Sequence, residues 1–351
     1  MNNVLYSLGL GLAGGAVGNF FDIPLGWLLG AILANMVASM HSLPVAIPRS
    51  FRQASLIVIG VMIGSAFSPQ LLEHAHQWGF SLAGMILLLA IAIPWGYFYG
   101  RRITKFDKTS ALFASIPGGL GEMVMLGWSM GANPRTTTLA QSARLLTIVV
   151  LVPFMLRLFA DLEVDPTTAT VSEAANPWRF RDAVLLALAA IAGGFVARFV
   201  HAPAPFMVGP MLVTAGVYMS GLSDSRLPLE LIAITQVVLG SSIGTTFSGA
   251  SLRELIRTFS LSIGLTLSLL VLVVLFAFGV SNVTDLGFAA LILAFTPGGL
   301  AEMAILSLLL DVDPVFVATH QTTRVVLIYL LVPIVARRWL AARAADSADQ
   351  V

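Results

Sequence analysis

The octapeptide Ile116-Pro117-Gly118-Gly119-Leu120-Gly121-Glu122-Met123 returns as Thr296-Pro297-Gly298-Gly299-Leu300-Ala301-Glu302-Met303, displaced by 180 positions. The register then holds without a gap. Pro134 matches Pro314, Gln141 matches Gln321, Arg144 matches Arg324, and Leu151-Val152-Pro153 matches Leu331-Val332-Pro333. A chain that repeats both its helix breakers and its charges in register is expected to fold as two like units that build one site between them.

The repeat reaches well beyond this block. Gly14-Gly15, Pro24 and Gly30 match Gly193-Gly194, Pro203 and Gly209 at a displacement of 179. Gly60, Ile63-Gly64 and Ala66-Phe67-Ser68 match Gly240, Ile243-Gly244 and Thr246-Phe247-Ser248 at 180. The expected organisation is a first membrane repeat over 1–157, a polar linker over 158–181, a second repeat over 182–339, and a disordered C-terminal tail over 340–351. Asp161, Glu163, Asp165, Glu173, Arg179 and Arg181 mark the linker.

Between its breakers the chain is almost continuously apolar. It is 57% hydrophobic and 11% charged, against about 25% charged in an ordinary soluble domain, and its mean hydropathy is +0.90. Runs such as Leu82–Tyr99, Ala183–Val200 and Leu261–Val280 approach the roughly 20 residues that cross a ~30 Å hydrocarbon layer. The composition therefore points to an all-α polytopic membrane protein. Met1-Asn2-Asn3-Val4 lacks the positive start of a signal peptide, so no cleavage is expected. The absence of cysteine excludes disulfides, thiolate metal sites, Fe–S clusters and cysteine nucleophiles. A net charge of +1 gives no argument for nucleic acid.

A sliding span of membrane length picks out about six segments per half. They are roughly 4–20, 23–40, 54–68, 79–100, 110–130 and 136–157, then 182–200, 204–220, 230–248, 257–280, 287–310 and 315–339. If all cross, the copies are parallel and there are twelve spans. If the two Pro-Gly-Gly segments enter and leave on one face, the copies are inverted, with about ten spans plus two broken or re-entrant helices. The positive-inside rule places equal numbers of Lys and Arg inside in either case. The inverted arrangement exchanges Arg157, Arg179, Arg181 and Arg226 for Arg135, Arg198, Arg253 and Arg257. The loop Arg101–Lys108 is strongly basic and its counterpart Ser281–Asp285 has no positive charge. That asymmetry favours inversion.

Pro117-Gly118-Gly119 and Pro297-Gly298-Gly299 are costly as continuous helix, since proline removes a ladder hydrogen bond and each glycine costs ~1 kcal/mol relative to alanine. The spacing predicts a discontinuous helix whose second half begins near position 119 or 120 in the first copy. Broken backbone at membrane depth survives where protein or a wet cavity satisfies it. Glu122 and Glu302 then stand in the first turn of a half-helix, where an anion is stabilised. An intramembrane carboxylate is rarely incidental. The bland alternative is a cap on the break.

Gln141 and Arg144, like Gln321 and Arg324, are three apart and share a helical face. Arg144 lies ~12 Å into its span if the helix starts at Thr136. This face either receives an anionic group or pairs with Glu122 or Glu302 as an internal clasp. His74, His76 and Glu73 lack the further ligands of a metal centre, so no metal, cofactor or catalytic residue is expected. His320 has no partner histidine in the first half, where Ala140 stands. It either tunes one half-site or is an ordinary packed histidine.

On its two Pro-Gly-Gly-Leu-X-Glu-Met blocks and trailing Gln-X-X-Arg motifs, the chain resembles the Gram-negative AbrB-type duplicated membrane protein family. The resemblance implies a multi-pass protein of the bacterial inner (plasma) membrane. It further implies the inverted repeats and broken helices of cation/proton antiporters and anion transporters. Members carry two labels, regulator of gene expression and ammonia monooxygenase. Ammonia oxidation needs copper or iron held by clustered ligands. Here cysteine is absent and His41, His74, His76, His201 and His320 are scattered. Direct DNA binding needs a basic soluble element, which the chain lacks. The reading is a non-enzymatic secondary transporter for a small molecule or ion. The alternative is a membrane sensor that regulates gene expression indirectly.

Overall fold

Apolar sequence with no water to bond its backbone satisfies its amides internally, and the chain folds accordingly as helix. The computed structural model describes all residues except 1, 22, 24, 68–77, 119, 161–179, 203, 226, 249–251, 311 and 349–351. The side chains of 120–122, 125, 157–160, 180, 229, 252–255 and 333–348 also lie outside the described set. The first half contains α1 (Asn2–Phe20), α2 (Gly26–Met40), α3 (Arg49–Gly64), α4 (Trp78–Arg102), α5 (Lys108–Ser115), α6 (Leu120–Ser129) and α7 (Pro134–Ala160). The second contains α8 (Phe180–Phe199), α9 (Pro205–Met219), α10 (Leu229–Gly244), α11 (Leu252–Ser281), α12 (Phe288–Phe295), α13 (Leu300–Leu309) and α14 (Pro314–Ala348). A 3₁₀ turn, Thr245–Phe247, extends α10. Among the described residues there is no strand.

Among the described residues six helices are long and apolar enough to cross a membrane: α4, α7, α8, α10 with its 3₁₀ turn, α11 and α14. That is fewer than the ten or twelve spans expected. Length explains part of the shortfall: α2 and α9 have 15 residues each and α3 has 16, about 22–24 Å of rise against a ~30 Å core. By contrast α1 has 19 residues but is diluted by its glycines and asparagines. On α8 and α11, Phe195, Phe199, Val271 and Phe278 stand exposed, as on a face covered by apolar surroundings. The last helix runs through Ala348, so positions 340–348, expected as a disordered tail, are helical. The alanine-rich run Ala341-Ala342-Arg343-Ala344-Ala345 has strong helix propensity and supplies the reason.

The two halves exchange partners. Within each, the first two helices cross closely at glycines, Gly14 on Gly30 in the first and Gly193 on Gly209 in the second. Between them, Gly60 and Gly64 of α3 lie on the backbone of Met207 and Met211 of α9. Reciprocally, Gly240 and Gly244 of α10 lie on the backbone of Leu28 and Ile32 of α2. Rising numbers meet rising numbers in both contacts, so α2 runs parallel to α10 and α3 parallel to α9. Small residues permit this backbone approach, and buried polar groups fix it. Asn35 Nδ2 donates to Ser241 Oγ at 3.0 Å and to the Ser7 carbonyl at 3.1 Å. Leu25 and Ala204, the residues before α2 and α9, both take the left-handed backbone conformation (φ 56° and 47°).

The predicted discontinuities are present. Asp107 caps α5 by accepting the Ser110 N–H at 2.9 Å, and α5 stops at Ser115 ahead of Pro117. The chain then folds back: Asn133, just beyond α6, donates its N–H to Ser110 Oγ at 2.8 Å, and Gly127 lies against Phe113. Hence α5 and α6 form a hairpin whose ends meet. In the second half α12 stops at Phe295 and α13 starts at Leu300 after Gly299. The following long helices are capped alike, by Asn133 Oδ1 at the Thr136 N–H (3.1 Å) and by Asp313 Oδ1 at the Phe316 N–H (3.1 Å).

Candidate functional site

A helix that stops inside apolar surroundings leaves its last carbonyls without partners. The trailing Gln-X-X-Arg motifs supply them. Gln141 Nε2 donates to the carbonyls of Phe113 (2.7 Å) and Ile116 (3.0 Å) at the end of α5. Arg144 Nη1 reaches the carbonyls of Ala114 (3.3 Å) and Ile116 (3.4 Å), and its Nη2 donates to Gln141 Oε1 at 2.5 Å. One repeat later, Gln321 Nε2 donates to Leu293 (2.7 Å) and Thr296 (3.1 Å). Arg324 donates through Nη1 to Thr296 and through Nη2 to Gly298, both at 2.7 Å. The clasp in α7 and α14 thus holds backbone oxygens. Glu302 is not its partner: among the described residues neither guanidinium forms an ion pair with it.

The block itself is built around space. Met303 packs where a Cβ on Gly298 would stand, as Met123 does at Gly118. A Cβ on Gly299 would collide with the carboxylate of Glu302. Glu302, third residue of α13, is buried at 7% exposure and folds back over the helix start, with its carboxylate against Gly299. Pro297 ends one half-helix, and the two glycines admit the Met and Glu of the next. Gly119 and the side chain of Glu122 lie outside the described residues.

A cavity of about 130 Å³ opens between the breaks and helices α3, α9 and α10. Gly118, Gln141, Arg144, Pro297, Gly298, Gly299, Glu302 and Arg324 line one side. Leu56, Met207, Leu239 and Ile243 supply apolar lining from the other helices. Pro117 is buried beside the first break without reaching the cavity, and Gln321 braces the second break from behind it. A larger groove of about 740 Å³, lined by Leu8, Leu12, Trp27, Phe51 and Val58, is almost wholly apolar and contains none of the repeated polar residues.

Arg52 of α3 also lines the smaller cavity, and its charge acts on the Glu302 carboxylate. It is not among the residues singled out from the sequence, and it lies just ahead of the segment expected at 54–68. The available signal was its failure to repeat: position 232, its counterpart, is isoleucine.

His320 lies elsewhere, fully buried in α14. Its Nδ1 bonds the Phe316 carbonyl and its Nε2 pairs with Ser81 Oγ, both at 2.9 Å, and Phe316 packs on its ring. This is the packed histidine of the two alternatives. His74, His76 and Glu73 fall outside the described residues.

A family model described as "Transition state regulatory protein AbrB" matches residues 27–340. The chain belongs to the AbrB family. It is 29% identical over 355 residues to a Bacillus subtilis (strain 168) protein named "Uncharacterized protein YhjN", covering 94% of this chain and 91% of that one. It is 26% identical over 316 residues to "Putative regulator AbrB" of Escherichia coli (strain K12), covering 90% of each. The AbrB match spans both breaks, both clasps and the cavity between them, so the resemblance drawn from the repeated block extends over the whole site.

Proposed function

We propose that this AbrB-family protein is a secondary transporter of the bacterial inner membrane that carries a small solute through the cavity between its two broken helices. The observation that carries the reading is the cavity itself: buried Arg144, Arg324 and Glu302 meet at interrupted helices inside an apolar protein. Intramembrane charge and broken backbone together mark solute sites. Glu122 and Glu302 serve as the proton- or ion-coupling groups. Gln141, Arg144, Gln321 and Arg324 hold the breaks open. No covalent bond is made or broken.

The repeats are read as inverted, with ten spans and two re-entrant hairpins. Helix direction supports this. Ala46, just ahead of α3, donates its N–H to Ser7 Oγ at 2.8 Å, and Ser7 packs against Asn35 near the end of α2. From there α3 returns alongside Leu8, Leu12 and Trp27, antiparallel to α2. Because α10 is parallel to α2, it runs opposite to its own counterpart α3. The hairpin of α5 and α6, with its ends tied by Asn133 and Ser110, fits a segment that enters and leaves on one face.

The regulator names of the family and of the Escherichia coli relative support a second reading, a membrane sensor whose partner docks on the basic loop Arg101–Lys108. Counterflow in proteoliposomes separates the two. Transport predicts exchange of at least one small solute, lost in Glu302→Gln. Absence of exchange across a broad solute panel, with regulation in cells lost on neutralising the basic loop, would replace transport by sensing.

A further inference from the structure

We infer that the cavity between the broken helices binds a small carboxylate anion, with Arg52 as the residue that clamps it. The inference rests on the transporter reading only for the movement of that anion, not for its binding. Three arginines line the cavity together with one described acidic residue, Glu302: Arg144 and Arg324 are buried, and Arg52 is exposed. Adding Glu122 to the count would still leave an excess of positive charge. Arg144 and Arg324 are close enough for the charge of one to act on the other. They are buried at 6% and 2% exposure, where like charges are weakly screened. Each retains an Nε–H with no acceptor. An anion in the cavity relieves this uncompensated charge.

The shape of the cavity selects among anions. Guanidinium forks match the planar oxygens of a carboxylate. The apolar lining of Leu56, Met207, Leu239 and Ile243 offers a short carbon chain an apolar surface, which phosphate or sulfate would leave empty. At about 130 Å³, the space suits a compact organic anion. The arrangement also singles out one half. Position 232 is isoleucine where Arg52 stands, and position 149 is valine where the cavity has Tyr329. The second break therefore receives the cargo, while the first half contributes Arg144 to the same cavity. Arg144 and Arg324 hold carbonyls as well, so Arg52 is the guanidinium whose removal tests binding without unbracing a break.

The test uses the full-length protein in nanodiscs, titrated calorimetrically with sodium acetate, butyrate and succinate, and in parallel with ammonium chloride, urea and sodium phosphate. One or more carboxylates should bind. Arg52→Gln should weaken that binding about ten-fold or more, as for loss of a charge-assisted contact, and Arg52→Lys should restore part of it. Binding confined to ammonium, urea or phosphate overturns the inference, as does unchanged carboxylate affinity in Arg52→Gln. Counterflow of the same solutes keeps the two readings apart. Carboxylate binding without exchange removes transport and leaves the anion site, whereas exchange of ammonium alone keeps transport and removes the anion site.

Discussion

Arg324 shows how a charged residue in an apolar helix becomes structural through its neighbours' backbone. Its two Nη groups hold the carbonyls of Thr296 and Gly298, and a charged donor to a buried acceptor contributes about 1.5–3 kcal/mol. Arg324→Ala should therefore lower the melting temperature of the detergent-solubilised protein sharply and reduce its monodisperse fraction on size exclusion. Arg324→Lys should be intermediate, since an ammonium cannot span both oxygens in the same fork. Stability equal to wild type in Arg324→Ala would contradict the clasp. The sequence made the Gln-X-X-Arg face visible through its repetition. It could not reveal the acceptors, because a freed carbonyl carries no side-chain signature. Arg52 was harder still, as its role depends on a cavity formed by helices distant in sequence.

At the scale of elements, the breaks were legible because proline and two glycines fall together. Proline alone would have misled: Pro94, Pro153 and Pro210 all sit inside continuous helices. What distinguishes Pro297 is the pair of glycines after it, one making room for Met303 and the other for Glu302. Gly299→Ala should displace that carboxylate and impair solute exchange more than it impairs folding, read as lost counterflow at near-normal melting temperature. The helix crossings offer a complementary test. Gly60→Leu and Gly240→Leu should each force apart an α3–α9 or α2–α10 contact and lower stability to a similar degree, because the two contacts are reciprocal. A tolerated leucine at either position would exclude close approach there. Span length was the weaker reading. Hydropathy measures how apolar a segment is, whereas α2 and α9 owe their short length to turns at both ends.

For the whole molecule, the direction of the two halves has a direct readout, helped by the absence of native cysteine. Lys105→Cys and Asp285→Cys occupy equivalent loops. If the repeats are inverted, a membrane-impermeant maleimide should label them from opposite sides of oriented vesicles. Labelling from one side would restore the parallel twelve-span arrangement. The duplication itself was plain in sequence, whereas the exchange of partners between halves was not, since Gly60 reads as a packing residue without naming its partner. That exchange bears on biosynthesis. The surface on which Gly60 and Gly64 of α3 rest belongs to α9, a segment that leaves the ribosome much later. The early helices must therefore wait beside the translocon with their glycine faces uncovered until the second half arrives, and a chain truncated before α9 should be a substrate for membrane quality-control proteolysis.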